Sequence, residues 1–347
     1  MTATRLPATL LLSALALLTV FVALLALASG PLHLPLSTVL AGFGLGDAPV
    51  ADYERVSLLQ VRAPRVCLSL LIGAALALAG AAMQGVFRNP LADPSLAGVS
   101  AGAALASTAW LALRVPLQLE TLLPTTWALP TAAFIGGLLA AALVARLARD
   151  DQHTSLATLL LAGLAVNAIA SAGVGLFQQL ANDSALRDIT AWLYGSLGRS
   201  GWAELAVAAP LLLTAILLIP LHAPALNALL LGEAEAVHLG VEVERIKRHL
   251  LLLIVLATST SVALAGIIGF VGLLVPHLAR LLIGPSHRVL LPACALLGAA
   301  LLTAADLAAR TWLAPLELSV GIYTAVLGGP FFLYLLTQRR GRLEWGA

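Results

Sequence analysis

The chain alternates between long apolar runs and short clusters of proline, glycine and charge. The apolar runs lie near residues 8–29, 63–86, 95–113, 126–148, 155–178, 202–221, 248–264, 270–283, 288–310 and 316–337. Runs of about 18 or more apolar residues with few charges predict membrane-spanning helices. Ten of them predict an all-α membrane protein with both termini on one side. The eighth run is short and holds Pro276, which predicts a half-helix. The first run follows Arg5 and extends about 20 residues, longer than the roughly 7–15 of a signal-peptide core, so it reads as a retained first span.

Two connections are longer than the rest. Residues 30–62 carry Asp47, Asp52, Glu54 and Arg55. Residues 222–248 are amphipathic and read as one or two short helices broken at Gly232 and Gly240, leading into Arg245, Lys247 and Arg248. Neither leaves room for a large soluble domain. Residues 1–347 therefore read as one transmembrane domain, with 222–248 a loop within it.

Composition agrees and narrows the function. Hydrophobic residues make up 60% of the 347, charged residues 10%, and mean hydropathy is +0.99. A net charge of +2 gives no reason to expect nucleic acid as a partner. Cys67 and Cys294 stand in separate apolar runs, without the spacing of a disulfide framework or a zinc site, so no metal is expected. With the N-terminus inside, twelve of the basic residues fall on the inner side and seven on the outer. The positive-inside tendency supports that orientation, which puts 222–248 inside and 30–62 outside.

Function then rests on the polar residues that interrupt the apolar pattern. Arg62-Ala-Pro-Arg65 opens the second span on the outside. These arginines are expected at the interface, either snorkelling to head groups or receiving carboxylates from a soluble partner. Arg88-Asn-Pro-Leu-Ala-Asp-Pro94 ends the same span. Its two prolines stop a helix, and Asn89 can bond freed backbone groups, giving either a plain tight turn or a gate loop. The small residues of Gly98-Val-Ser-Ala-Gly102 permit close helix contact.

The densest constellation is Gly269-Phe-Val-Gly-Leu-Leu-Val-Pro-His-Leu-Ala-Arg280. Glycine and proline inside a span predict unwound backbone, tolerated where it is buried in protein or lines water. His277 is either a ligand or proton carrier, or a residue that satisfies the carbonyls of a broken helix. Asp306 and Arg310 stand four residues apart on one helix face and can pair. Glu317, Gly321 and Thr324 precede Gly328-Gly329-Pro330, which predicts a broken or tightly packed last helix. An internal echo joins Leu76–Gly80, with Pro90 ten residues on, to Val262–Gly266, with Pro276 ten residues on. The two copies run in opposite directions, the mark of an inverted repeat. No Walker A, HExxH or GxSxG pattern is present.

Taken together, these motifs resemble the FecCD family of ABC importer permeases, which serve vitamin B12, ferric siderophores and heme. The residues that carry the resemblance are Arg62–Arg65, Arg88–Pro94, Gly269–Arg280, Asp306–Arg310 and Glu317–Pro330, in order over nearly the whole chain. Leu226–Gly240 and Ala314–Leu336 look most like the heme permeases. The resemblance implies a vitamin B12 importer permease-like fold of about ten helices with an inverted repeat. It implies a homodimer with the pathway between subunits, two cytoplasmic ATPase subunits that bind ATP and Mg, and a periplasmic substrate-binding protein. The expected place is a bacterial inner membrane, with no cofactor on this chain. Arg62, Arg65 and Arg310 match arginines that receive the binding protein's carboxylates. Gly232, Glu233, Ala234, Glu235 and Ala236, with His238, Leu239 and Gly240, match the coupling helices that sit in the ATPase cleft. Asn89 and Leu91 match a cytoplasmic gate loop, and Thr154 and Ser155 the start of a second. The expected function is import of heme, or of a ferric siderophore or cobalamin by the same machinery. A different class also stays open: a secondary transporter driven by protons through Asp306 and His277.

Overall fold

The computed structural model describes residues 7–119, 125–150, 153–154 and 156–343. Its helices are α1 (Ala8–Ala28), α2 (Leu36–Gly42), α3 (Asp52–Val56), α4 (Ala63–Val86), α5 (Val99–Leu113), α6 (Thr125–Leu147), α7 (Leu156–Leu180) and α8 (Asp183–Leu193), followed by α9 (Trp202–Leu218), α10 (Ala223–Leu231), α11 (Glu233–His238), α12 (Val243–Ala265), α13 (Val271–Ile283), α14 (His287–Thr311) and α15 (Val320–Leu343). Two-residue strands, β1 (Arg149–Asp150) and β2 (His153–Thr154), pair antiparallel between α6 and α7. Among the described residues, seven helical stretches are long and apolar enough to cross a membrane, and Val99–Leu113, Val271–Ile283 and Val320–Tyr334 are shorter apolar helices. These ten are the predicted spans, and the protein is a multi-pass membrane protein.

The helix α4 runs through the centre. Its most apolar window is 83% buried, against 11% for α1, so α4 is surrounded by protein while α1 is peripheral. The reason lies in its small residues. A Cβ at Gly73 would strike the carbonyl of Gly298 on α14, and one at Gly80 would strike the carbonyl of Gly272 on α13. Backbones approach this closely only where side chains are absent. At the periphery, Thr19 of α1 bonds the Leu296 carbonyl of α14 at 3.0 Å.

Three boundaries differ from the hydropathy reading. The second span is not opened by Arg62: helix begins at Asp52 and continues through a π-helical turn, Ser57–Arg62, into α4. The widened turn lies just before Pro64, which has no N–H for an α-helical bond. Likewise α12 starts at Val243, so Arg245, Lys247 and Arg248 occupy its first two turns and not the end of a loop. The last helix starts at Val320, after Glu317 and Ser319, where the apolar run had suggested residue 316.

The inverted echo takes a definite form. A long helix, α4 or α12, leads each time into a loop, then a residue with positive φ, then a short helix. Gly98 (φ +78) precedes α5, and Phe270 (φ +67) precedes α13. The matching glycines themselves are not equivalent, since Gly80 lies within α4 while Gly266 (φ +70) ends α12.

Candidate functional site

At the end of the bundle where α4 begins, five charged side chains form one cluster. Asp306, fully buried on α14, accepts from Arg65 of α4 through Nε at 3.0 Å and Nη2 at 2.8 Å. The same Nη2 reaches Glu317 at 2.6 Å. Arg310 lies 3.6 Å from Asp306 through Nε and donates through Nη2 to the Ala26 carbonyl. Arg62 donates to the carbonyls of Leu27 (2.8 Å), Ala28 (3.0 Å) and Leu32. The last carbonyls of a helix have no partner within it, and here α1 gives them to two arginines. The cluster therefore clamps α1, α4, α14 and the segment before α15.

This corrects the expected exposure of Arg62, Arg65 and Arg310. All three are buried and engaged inside the chain, because the acceptors that draw them in come from α1, α14 and Glu317. Asp306 pairs mainly with Arg65, 241 residues away, and only secondarily with Arg310 on its own helix. With both oxygens held, Asp306 acts as the pin of this clamp.

The loop after α4 and the loop after α12 meet. Residues after α4 and residues Gly266–Phe270 enclose a cavity of about 370 Å³ lined by Leu91, Asp93, Ser95, Thr258, Phe270 and others. A Cβ at Gly272 would lie 3.3 Å from the Pro94 ring and 3.5 Å from the Asp93 carboxylate. The loop after α4 is held by its own polar groups. Asn89 Oδ1 accepts from the Leu91 N–H at 2.9 Å, and Asp93 Oδ1 from the Ser95 N–H at 2.8 Å. Such side-chain turns replace the helical bonds that Pro90 and Pro94 forbid. Leu91 is left exposed.

The Gly269–Arg280 stretch is unwound only at its start, and α13 continues through Pro276. That corrects the reading of a helix broken at the proline. Pro276 offers no N–H to Gly272, and the freed carbonyl faces Gln84 Nε2 of α4 at 3.4 Å. Gln84 Oε1 in turn accepts from Arg280. His277 sets its ring edge-on to Phe331 at 5.5 Å and to Phe332 at 6.4 Å, so it packs α13 against α15. The last helix is likewise unbroken: Gly328 abuts the Phe270 ring, the tightly packed of the two readings.

At the opposite end, α10 and α11 form the predicted broken pair. Gly232 has φ +137, and a Cβ there would run into the Glu235 carboxylate. Glu233, Ala234, Glu235, Ala236 and His238 form α11, with Ala236 buried beneath it; Leu239 is exposed, and Gly240 turns the chain at φ +82. Lys247 is only 4% exposed and bonds Glu233 at 2.7 Å and Glu244 at 3.3 Å, tying α11 to α12. Asn227 of α10 accepts from the His287 N–H at 2.8 Å, tying the same segment to α14.

The sequence-predicted residues thus fall in three places: Arg62, Arg65, Asp306 and Arg310 at one end, Asn89, Leu91, Pro276 and His277 around the loop junction, and Gly232–Gly240 at the other end. Thr154 lies in β2, and Ser155 lies outside the described residues. Gln84, Asp93 and Lys247, the partner of the predicted Glu233, were missed as site residues. A glutamine inside a span and the one lysine of the chain were the available signals.

Comparison with known proteins matches residues 17–338 to the FecCD transport family. The hemin transport system permease HmuU of Yersinia pestis is 47% identical, over 81% of this chain and 83% of its own length. The cobalamin import permease BtuC of Halobacterium salinarum is 43% identical over 84% and 76%, and the Fe(3+) dicitrate permease FecD of Escherichia coli 40% over 92% and 95%. A solved structure described as a metal-chelate type ABC transporter in an inward-facing conformation superposes with a TM-score of 0.81 at 31% identity, covering 94% of this chain and 98% of that one.

Proposed function

The chain belongs to the FecCD transport family of ABC importer permeases, and from that premise we propose that it carries hemin from the periplasm to the cytoplasm as half of a homodimer. The observation that carries the cargo is the 47% identity with the hemin permease. Its seat is the bacterial inner membrane, with both termini cytoplasmic. The cobalamin and ferric dicitrate relatives support a second reading, in which the same machine carries another large chelate.

The mechanism follows from the three places. A loaded periplasmic binding protein docks over the buried clamp of Arg62, Arg65 and Arg310, which fixes α1, α4 and α14 beneath the contact surface. Cargo passes between two copies, along the apolar faces of α7 and α15. Two cytoplasmic ATPase subunits hold ATP and Mg and press on Gly232–Gly240; this chain itself holds no cofactor. Lys247 passes that displacement to α12, whose Thr258 lines the junction cavity. The gate loops at Asn89–Leu91 and Thr154–Ser155 then change place. The permease supplies different contacts in two states and no chemistry of its own.

Reconstitution in liposomes with the ATPase and binding protein tests this, with hemin, a ferric siderophore and cobalamin offered in parallel. ATP-dependent uptake of hemin alone is expected. Uptake of another chelate overturns the cargo, and uptake without the ATPase overturns the coupling.

A further inference from the structure

An apolar crevice of about 340 Å³ opens between α6, α7 and α12, away from the loop junction. Its wall includes Leu138, Ala142, Leu159, Leu251 and Val255, and its charged residues, Glu244 and Arg248, stand together at one end. Leu139 of α6 beside the crevice and Leu252 of α12 within its wall are well exposed, as on a face turned to hydrocarbon. From Arg248 to Val255 the crevice follows α12 for about 10 Å, two thirds of the ~15 Å depth of one leaflet's hydrocarbon.

The charged end has a cation to spare. Glu242 is held by Arg245 at 3.1 Å and Glu244 by Lys247 at 3.3 Å. Arg248 is exposed and, among the described residues, makes no ion pair or hydrogen bond. Arg146, next to the lining residue Ala145, is exposed in the same condition. One free cationic end above an apolar slot matches the polarity order of a single lipid. A water-soluble ligand would meet no polar group along the slot. We propose that this crevice is a binding site for one anionic phospholipid, its phosphate on Arg248 and one acyl chain between α6 and α12.

The test uses purified protein in mixed micelles with equal mole fractions of phosphatidylglycerol and phosphatidylcholine, and counts retained lipids by native mass spectrometry. A basic residue near the surface favours anionic lipid by roughly five-fold, so the wild type should retain phosphatidylglycerol by about that factor. R248Q should lose the preference while keeping weak retention of both. A142F, at an exposed lining position, should fill the slot and lose both. The unfolding midpoint of each variant in lipid-free detergent should equal that of the wild type, separating loss of the site from loss of fold. Equal retention of the two lipids by the wild type overturns the proposal. So does a preference that survives both substitutions, or a change of oligomeric state in A142F, which would make this face a contact between copies. None of these outcomes bears on which chelate is transported.

Discussion

Asp306→Asn isolates the clamp. The substitution keeps the shape and one acceptor but removes the one fully buried carboxylate between two buried guanidiniums, Arg65 and Arg310. Breaking a buried pair from one side costs about 3–5 kcal/mol, because the other charge stays buried without compensation. Here two cations share the loss, and the nearest remaining carboxylate, Glu317, is 42% exposed. Glu317→Gln removes the exposed partner of the same Arg65, and an interaction open to water is worth only about 1 kcal/mol. The structure thus predicts a three- to five-fold larger destabilisation for D306N than for E317Q. Unfolding free energies from denaturant titration in mixed micelles measure both. Adding Arg65→Gln to D306N should return part of the loss, since the double variant no longer buries that cation unpaired. Equal losses in the two single variants, or a loss below about 1 kcal/mol in D306N, would refute the account of the clamp.

Two other expectations follow from the geometry. Lys247→Met should uncouple the machine: ATP hydrolysis by the assembled complex persists while uptake per ATP falls several-fold, and exchanging the charges in E233K/K247E recovers much of it; unchanged stoichiometry in K247M would contradict the tie. Gly80→Val must push α4 away from the Gly272 backbone and should cost more than about 2 kcal/mol, whereas Gly175→Ala, with nothing within 4 Å of the new Cβ, should leave the unfolding midpoint where it was.

The spans were legible because a membrane helix is a local property, readable from 20 consecutive residues. The break at Gly232 and the turn at Asn89 were legible for the same reason, since glycine and proline act on their own backbone. What escaped the sequence was pairing at a distance. Nothing beside Arg62 reveals that the end of α1 would present two carbonyls to it and Leu32, just beyond, a third. Nor does the pattern around Lys247 show that Glu233 folds back across Gly240 to cover it, so the basic cluster looked like a loop when it was the start of a helix with Lys247 buried in it. Gln84 is the intermediate case. A polar residue in a span signals a partner, but the partner, a carbonyl freed by Pro276, is visible only once α13 lies against α4.

The short helices α5 and α13 carry a consequence for the membrane as an insulator. With 15 and 13 residues they measure about 22 and 20 Å, less than the ~30 Å of hydrocarbon. The missing thickness is made up by Asn89–Gly98 and Gly266–Phe270. At that spot the protein spans the hydrocarbon with a pair of abutting turns and not with a lipid-thick wall of helix. Turns can be rearranged without breaking helical hydrogen bonds, so this is where the insulating wall can change shape with the least loss of helix, and Pro94 against Gly272 is the contact that holds it.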